Sequence, residues 1–233
     1  MVNFVDMKVE YVDHLGGDVN VVNAARCSFA KEVVVFDLEK DTKLINYLAK
    51  HNHWSPLAHT AVSIRVKAPI FMARQFVKHQ IGLVWNEESR RYIEDEPEFY
   101  NPTVWRSRPD NAKQGSGSGE IKKVTYVISP VSGTTIDLPI DETFFHTTKT
   151  CFDSYKMMLD SGVAPEMARM ILPQNTMTNW VWTGSLVAFA RVCKLRLDSH
   201  AQKEAQELAE KIAEVVAPLY PVSWQALMSN MKV

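Results

Sequence analysis

The sequence predicts an α+β fold in a single domain: a central, mostly antiparallel sheet packed by helices, with a helical C-terminal half. Three observations predict it. Alternating apolar residues lie early in the chain, and apolar residues at helical spacing dominate its last part. Neither an internal repeat nor a second composition regime divides the 233 residues. At 26.5 kDa and 46% hydrophobic residues, folding hides roughly 70% of the unfolded chain's area, enough for one substantial core.

Met7 to Val12 alternates as a strand does. Asp18 is placed to cap a helix through Phe29, and Asp41 to cap another through His51, with Leu44, Ile45 and Leu48 on one face. Thr60, Val62, Ile64 and Val66 alternate with Ala61, Ser63, Arg65 and Lys67, the pattern of a half-buried strand. Pro69 occupies a first-helical-residue position, and IFMARQFVKH continues as a helix until Gly82. Residues 101–135, rich in Pro, Gly, Ser and charge, read as an inserted loop or hairpin with KKVTYVIS as its candidate strand. Phe145, Thr148, Phe152, Tyr155 and Leu159 repeat at helical spacing until Gly162. Pro165 starts a short helix that Pro173 stops, and an apolar helix is expected from about Thr178. Ser199 with Gln202 forms a capping-box pattern ahead of a final helix lined by Ala201, Ala205, Leu208, Ile212 and Val215.

Composition excludes several classes of function. Lys plus Arg is 26 against 27 Asp plus Glu, a net charge of −1, so the chain lacks the basic surplus of a nucleic-acid coat. Three scattered cysteines (Cys27, Cys151 and Cys193) make no disulfide framework and fit a reducing, cytoplasmic compartment. The N-terminus has acids where a signal peptide has bases. The most apolar stretch, Trp180 to Leu195, carries Arg191 and falls short of the roughly 20 residues a membrane span needs. No membrane partner is expected.

The densest polar stretch is Arg74-Gln75-Phe76-Val77-Lys78-His79-Gln80, followed by Asn86-Glu87-Glu88-Ser89-Arg90-Arg91-Tyr92. Helical spacing sets Arg74 and Lys78 on neighbouring faces, and an extended second run points Glu87, Ser89 and Arg91 the same way. Such a set suits a phosphorylated sugar, since Arg grips phosphate with a fork of donors. A solvated, salt-bridged helix and turn fits the same pattern.

His51, His53 and His59 lie within nine residues, yet HxH with a further His six on is not a common zinc spacing. No metal is expected, and a Ser-Pro turn with neutral histidines is favoured. Arg196, beside much apolar sequence, is either satisfied by Asp198 or aimed at an anionic ligand, and Arg169 poses the same question. GSGSG matches neither a Walker nor a dinucleotide-binding loop.

These residues together resemble the flavin-dependent thymidylate synthases. That family carries an Arg-His-Arg run followed by Asn-Glu-x-Ser-x-Arg-Tyr. The second half stands complete at residues 86–92, and the first appears as Lys78-His79-Gln80 after KAPIFMARQ. AARCSF at 24–29, HNHWSPLAH at 51–59, SGVAPEMARMILPQN at 161–175 and LRLDSHAQ at 195–202 follow the family order.

The resemblance implies methylation of dUMP at C5, with carbon from methylene-tetrahydrofolate and reducing equivalents from NADPH through FAD, in a homotetramer with shared active sites. It implies that Gln75, Phe76, Val77, Lys78, Glu87, Glu88, Ser89, Arg90, Arg91, Arg169 and Leu195 hold dUMP with Arg196. Arg196 is then the catalytic residue, a cation that stabilises the uracil lacking its N3 proton. FAD falls to Ser28, His53, Ser55, Lys78, His79, Gln80, Ile81, Glu87, Ser185, Val187, Arg191 and His200. The chain departs from the family at Lys78 and Gln80, which replace arginines, at Ala58, and at Ser185, Val187 and Arg191. Those departures imply a dUMP site kept better than the FAD site. A related enzyme that hydroxymethylates a pyrimidine nucleotide, and a non-catalytic nucleotide-binding relative, are the alternatives.

Overall fold

The structure, a computed structural model, describes residues 1–110, 115–129 and 131–231. The chain packs into two compact units and passes between them several times. One unit comprises Met1–Asp6, Pro69–Phe71 and Glu88–Thr178; the other comprises Met7–Ala68, Met72–Glu87 and Asn179–Val233.

In the first unit, β1 (Asn3–Phe4) pairs in parallel with β5 (Glu98–Phe99). β6 (Lys123–Ser129) and β7 (Thr134–Pro139) form an antiparallel hairpin that carries exposed Tyr126, Val127, Ile128 and Ile136. Residues 111–114 and 130 of the expected 101–135 insertion lie outside the described residues. The helix α4 (Ile140–Asp160) buries Thr148, Phe152 and Tyr155 of the expected stripe, whereas Phe145 is exposed and Leu159 half-buried, and Gly162 follows it at φ 82°. The short α5 (Pro165–Ala168) and a 3-10 turn at Arg169–Ile171 stand where a short helix is expected.

The second unit holds a four-stranded sheet in the order β2 (Lys8–Leu15), β3 (Ala61–Pro69), β8 (Met177–Gly184), β4 (Leu83–Glu87). The pairs β2–β3 and β4–β8 are antiparallel. Val62, Ile64 and Val66 of β3 are buried, as the alternation requires. The helices of this unit are α1 (Asp18–Arg26), α2 (Lys40–Lys50), α3 (Ile70–Phe76), α6 (Leu186–Arg196), α7 (Lys203–Val216), which packs on β2, and α8 (Pro221–Asn230).

Six expectations are corrected here. Asp18 does not cap α1, whose entry is closed by Gly17 N donating to Asn20 Oδ1 at 2.9 Å. Its carboxylate instead accepts from Val222 N and Ser223 N at 3.0 and 2.9 Å, capping α8, a helix that the sequence pattern did not announce. Asp41 does not cap α2 either. Asp37 accepts from Lys40 N at 2.9 Å, while the fully buried Asp41 takes Arg26 Nη2 at 2.6 Å and Asp37 N at 2.8 Å.

The apolar helix expected from Thr178 begins only at Leu186. Residues 177–184 are a strand because aromatic and β-branched residues alternate there, and Trp180 and Trp182 fill the core. Gly184 lets β4 approach: an added Cβ would sit 2.6 Å from Gly82 O and 2.4 Å from Leu83 Cδ2. Ser199 does not open α7, since it lies in a turn and Gln202 precedes the first helical residue. Along α7, Val216 rather than Val215 is buried. Finally, α3 ends at Phe76 instead of running on towards Gly82. In a continued helix His79 N would bond to Gln75 O, but Arg196 Nη2 takes that carbonyl at 3.3 Å. His79 N turns to Phe76 O at 3.0 Å instead.

Candidate active site

Arg196 sits in the last turn of α6, where the helix dipole favours a cation. Its Nε donates to His79 Nε2 at 3.0 Å, its Nη2 reaches Gln75 O, and its guanidinium carbon lies 5.6 Å from the Phe76 ring centre. One long side chain therefore ties the end of α6 to the end of α3. Burial lowers the Arg196 pKa from its usual value without discharging so strong a base.

His79 is pushed down to about 4, first by burial and then by the Arg196 charge, so it is neutral near pH 7. Because its Nε2 accepts from Arg196, its proton resides on Nδ1, which is left as a donor. Sequence spacing alone left Arg196 between Asp198 and a ligand. In the structure Asp198 is engaged elsewhere, accepting from His200 N and Nδ1 at 2.8 and 2.9 Å, and those bonds lower its pKa.

A chain of side chains runs behind Gln75 through Gln202, which the pattern placed in a capping box. Gln75 Nε2 donates to Gln202 Oε1 at 2.6 Å, and Gln202 Nε2 donates to Glu204 Oε2 at 2.9 Å. The one sequence signal for it was the placing of Gln202 in LRLDSHAQ; Glu204 carried none.

The remaining candidates of this unit are spread over the turn after α3 and the neighbouring loops. Lys78 and Gln80 are exposed, Val77 is half-buried, and Ile81 is exposed beside Gly82, which has φ 75°. Ser185 caps α6 through Ala188 N and donates its own N–H to Gly82 O at 3.2 Å. Val187 is buried, Arg191 half-buried and Leu195 exposed along α6. At the end of β4, Glu87 accepts from Trp85 Nε1 at 3.1 Å. Ser55 and His53 are exposed, and the His53 ring stacks over Tyr47 with centres 5.9 Å apart. Ser28 and His59 line a cavity of 780 Å3 together with Asn23, Lys31 and Glu32. Among the described residues no three His, Cys, Asp or Glu side chains converge as metal ligands.

Glu88, Ser89, Arg90, Arg91 and Arg169 belong to the other unit. The strand stops at Glu87, so the extended run expected through Tyr92 is broken by a turn in which Tyr92 N donates to Ser89 O at 3.0 Å. That turn still joins the two groups: Arg91 Nε donates to Ser89 Oγ at 3.1 Å. Arg90 Nη1 donates to Asp95 O at 2.8 Å, and Arg169 Nε to Glu166 O at 3.3 Å. Arg91 and Arg169 are exposed. A half-buried cation fixed on one edge, a neutral histidine donor and an amide suit a planar polar ring that gains negative charge.

Comparison with known proteins agrees with this chemistry. The family model described as thymidylate synthase complementing protein matches residues 10–222. The flavin-dependent thymidylate synthase of Thermotoga neapolitana is 36% identical over 221 residues, covering 94% of this chain and 90% of the relative. That of Thermus thermophilus is 34% identical over 223 residues, covering 96% and 76%. A crystal structure of a UMP/dUMP methylase, PolB from Streptomyces cacaoi, bound with 5-Br dUMP, superposes with a TM-score of 0.81 at 30% identity. It covers 98% of this chain and 97% of that one. The same methylase bound with 5-Br UMP gives 0.76 at 28% identity, with 98% and 96% covered. With its sequence matched almost end to end, the chain belongs to the family of flavin-dependent thymidylate synthases.

Proposed function

We propose that the protein methylates dUMP at C5, drawing the carbon from methylene-tetrahydrofolate and the reducing equivalents from NADPH. The observation that carries this reading is the fixing of Arg196 by neutral His79 and the Gln75 carbonyl. The Nε–Nη2 edge of the guanidinium is spent on the protein, and among the described residues Nη1 makes no hydrogen bond, so the other edge is available to the base. Beside the uracil, the cation stabilises the form that lacks the N3 proton and enriches the ring at C5. Such a charge costs no reorganisation when the negative charge develops, because it is already held in place.

His79 presents Nδ1–H as a donor that stays uncharged near neutrality, and Ser89 with Arg91 offers a hydroxyl and a cation for the phosphate. No cysteine serves as nucleophile in this reading. Cys193 is buried, its Sγ 3.6 Å from Ala209 O, and burial raises its pKa further out of reach.

The donor set fits FAD. Lys78 and the half-buried Arg191 supply positive charge for a diphosphate, and exposed Ser55, His53, Gln80 and His200 supply polar contacts. Bound FAD supplies the hydride chemistry. Lys78 is a point charge where the family has a planar fork, so its contact to the cofactor is less directional. The single-domain organisation, the homotetramer with shared sites and a cytoplasmic location complete the proposal. Exposed apolar residues such as Leu15 on β2 and Val84 on β4 support the assembly.

One observation favours a second substrate: the solved relative is described as a UMP/dUMP methylase and is seen with both brominated nucleotides. The test is the mass of the product from dUMP and from UMP with purified, FAD-loaded protein. A methylated dUMP supports the proposal, and methylated UMP adds the second substrate. A hydroxymethylated product, or none, overturns the synthase reading.

A further inference from the structure

Gln75 is held at both ends. Its carbonyl accepts from Arg196 Nη2 at 3.3 Å, and its side-chain Nε2 donates to Gln202 Oε1 at 2.6 Å. Gln202 Nε2 donates in turn to Glu204 Oε2 at 2.9 Å, and Glu204 is only 4% exposed. The Glu204 carboxyl oxygen is the acceptor of that bond, so it takes the donor end of the Gln202 amide. The acceptor end of Gln202 is then left for Gln75, which must answer with its own donor end. The polarity set at Glu204 thus passes through two amides. What remains is Gln75 Oε1, which among the described residues accepts no hydrogen bond, on a side chain that is only partly buried.

We infer that Glu204 and Gln202 are positioning residues that lock the Gln75 amide with its oxygen presented to the nucleotide, so that the site reads a hydrogen-bond donor there. This rests on the proposed binding of dUMP, which offers two such donors: the sugar hydroxyl and the N3–H of the base. An unconstrained amide can turn over and offer either end, and so discriminates little. A locked acceptor rejects a ligand that lacks the matching donor, because the oxygen then stays desolvated and unpaired. Arg196 and the relay meet on one residue, so the group that polarises the base and the group that reads the nucleotide share a support.

The test is a titration of the FAD-loaded enzyme with dUMP, with 2′,3′-dideoxyuridine monophosphate, which lacks the sugar hydroxyl, and with N3-methyl-dUMP, which lacks the base donor. It is run on the wild-type protein, on Gln202→Leu and on Glu204→Gln. The wild type is expected to bind one of the two analogues about tenfold more weakly than dUMP. The analogue so affected identifies the donor. In both variants that ratio is expected to fall to about threefold or less, because the Gln75 amide is free to turn. Glu204→Gln keeps size and shape and serves if Gln202→Leu does not fold. A uniform loss of affinity for all three nucleotides, with the ratio unchanged, assigns the relay to structure alone and overturns the inference. Equal binding of all three by the wild type does the same. A folded, FAD-loaded wild type that binds none of them removes the dUMP reading and this inference with it, which separates the two failures.

Discussion

At Arg196 the useful property is a charge that is held before it is needed. Its bonds to His79 and to Gln75 O fix the guanidinium plane, and a fork cannot be replaced there by a point charge. Arg196→Ala is expected to lower kcat by about a thousandfold or more while dUMP affinity falls much less, since the strongest contact forms as charge develops. Single-turnover kinetics beside equilibrium titration checks this, and equal losses in both would sink the catalytic assignment. His79 gives a second prediction. Its pKa in the folded protein, about 4, lies below the usual 6.5. The unfolded chain therefore takes up the proton first, and stability falls as pH drops from about 6.5 towards 4. Above that window the contribution is fully present. His79→Asn is expected to flatten part of this slope in urea-denaturation midpoints measured across the window. At this scale the sequence supplied the residues but not their partners. Whether Arg196 meets Asp198 or His79 depends on where α3 ends.

Elements were legible where one periodicity ran without interruption. The alternation of β3 and the stripe of α4 are both in the structure, because each buries a single face. They were misread where a local signal served a distant element. Asp18 looks like the cap of the helix it begins, yet caps α8 some 200 residues later. β8 stands where the expected helix was to begin, because its short alternation runs directly into the apolar helix Leu186–Arg196. Gly184 ends that strand, and it carries the prediction at this scale. Gly184→Ala forces a Cβ to within 2.6 Å of Gly82 O. The outcome expected is a loss of about 1–3 kcal/mol from overpacking, with β4 displaced. Thermal unfolding measures it, and an unchanged midpoint contradicts the close packing of these strands.

For the whole molecule, the family was legible because its motifs appear in order, and the resemblance named Gln75, His79 and Arg196 without saying that they touch. Glu204 lay outside every motif, so the relay needed the structure. The changes at Lys78 and Gln80 belong to this scale because they concern the cofactor the whole enzyme must hold. Restoring the fork with Gln80→Arg is expected to tighten FAD binding by about tenfold, the worth of one charge-assisted bond. An unchanged FAD dissociation constant removes the idea that the chain's departures weakened the cofactor site.

The most direct measurement is tritium release from dUMP labelled at C5, in the presence of methylene-tetrahydrofolate and NADPH, with and without added FAD. The account predicts release that depends on FAD and is abolished in Arg196→Ala. No release from folded, FAD-loaded protein, or release that persists without FAD, contradicts it.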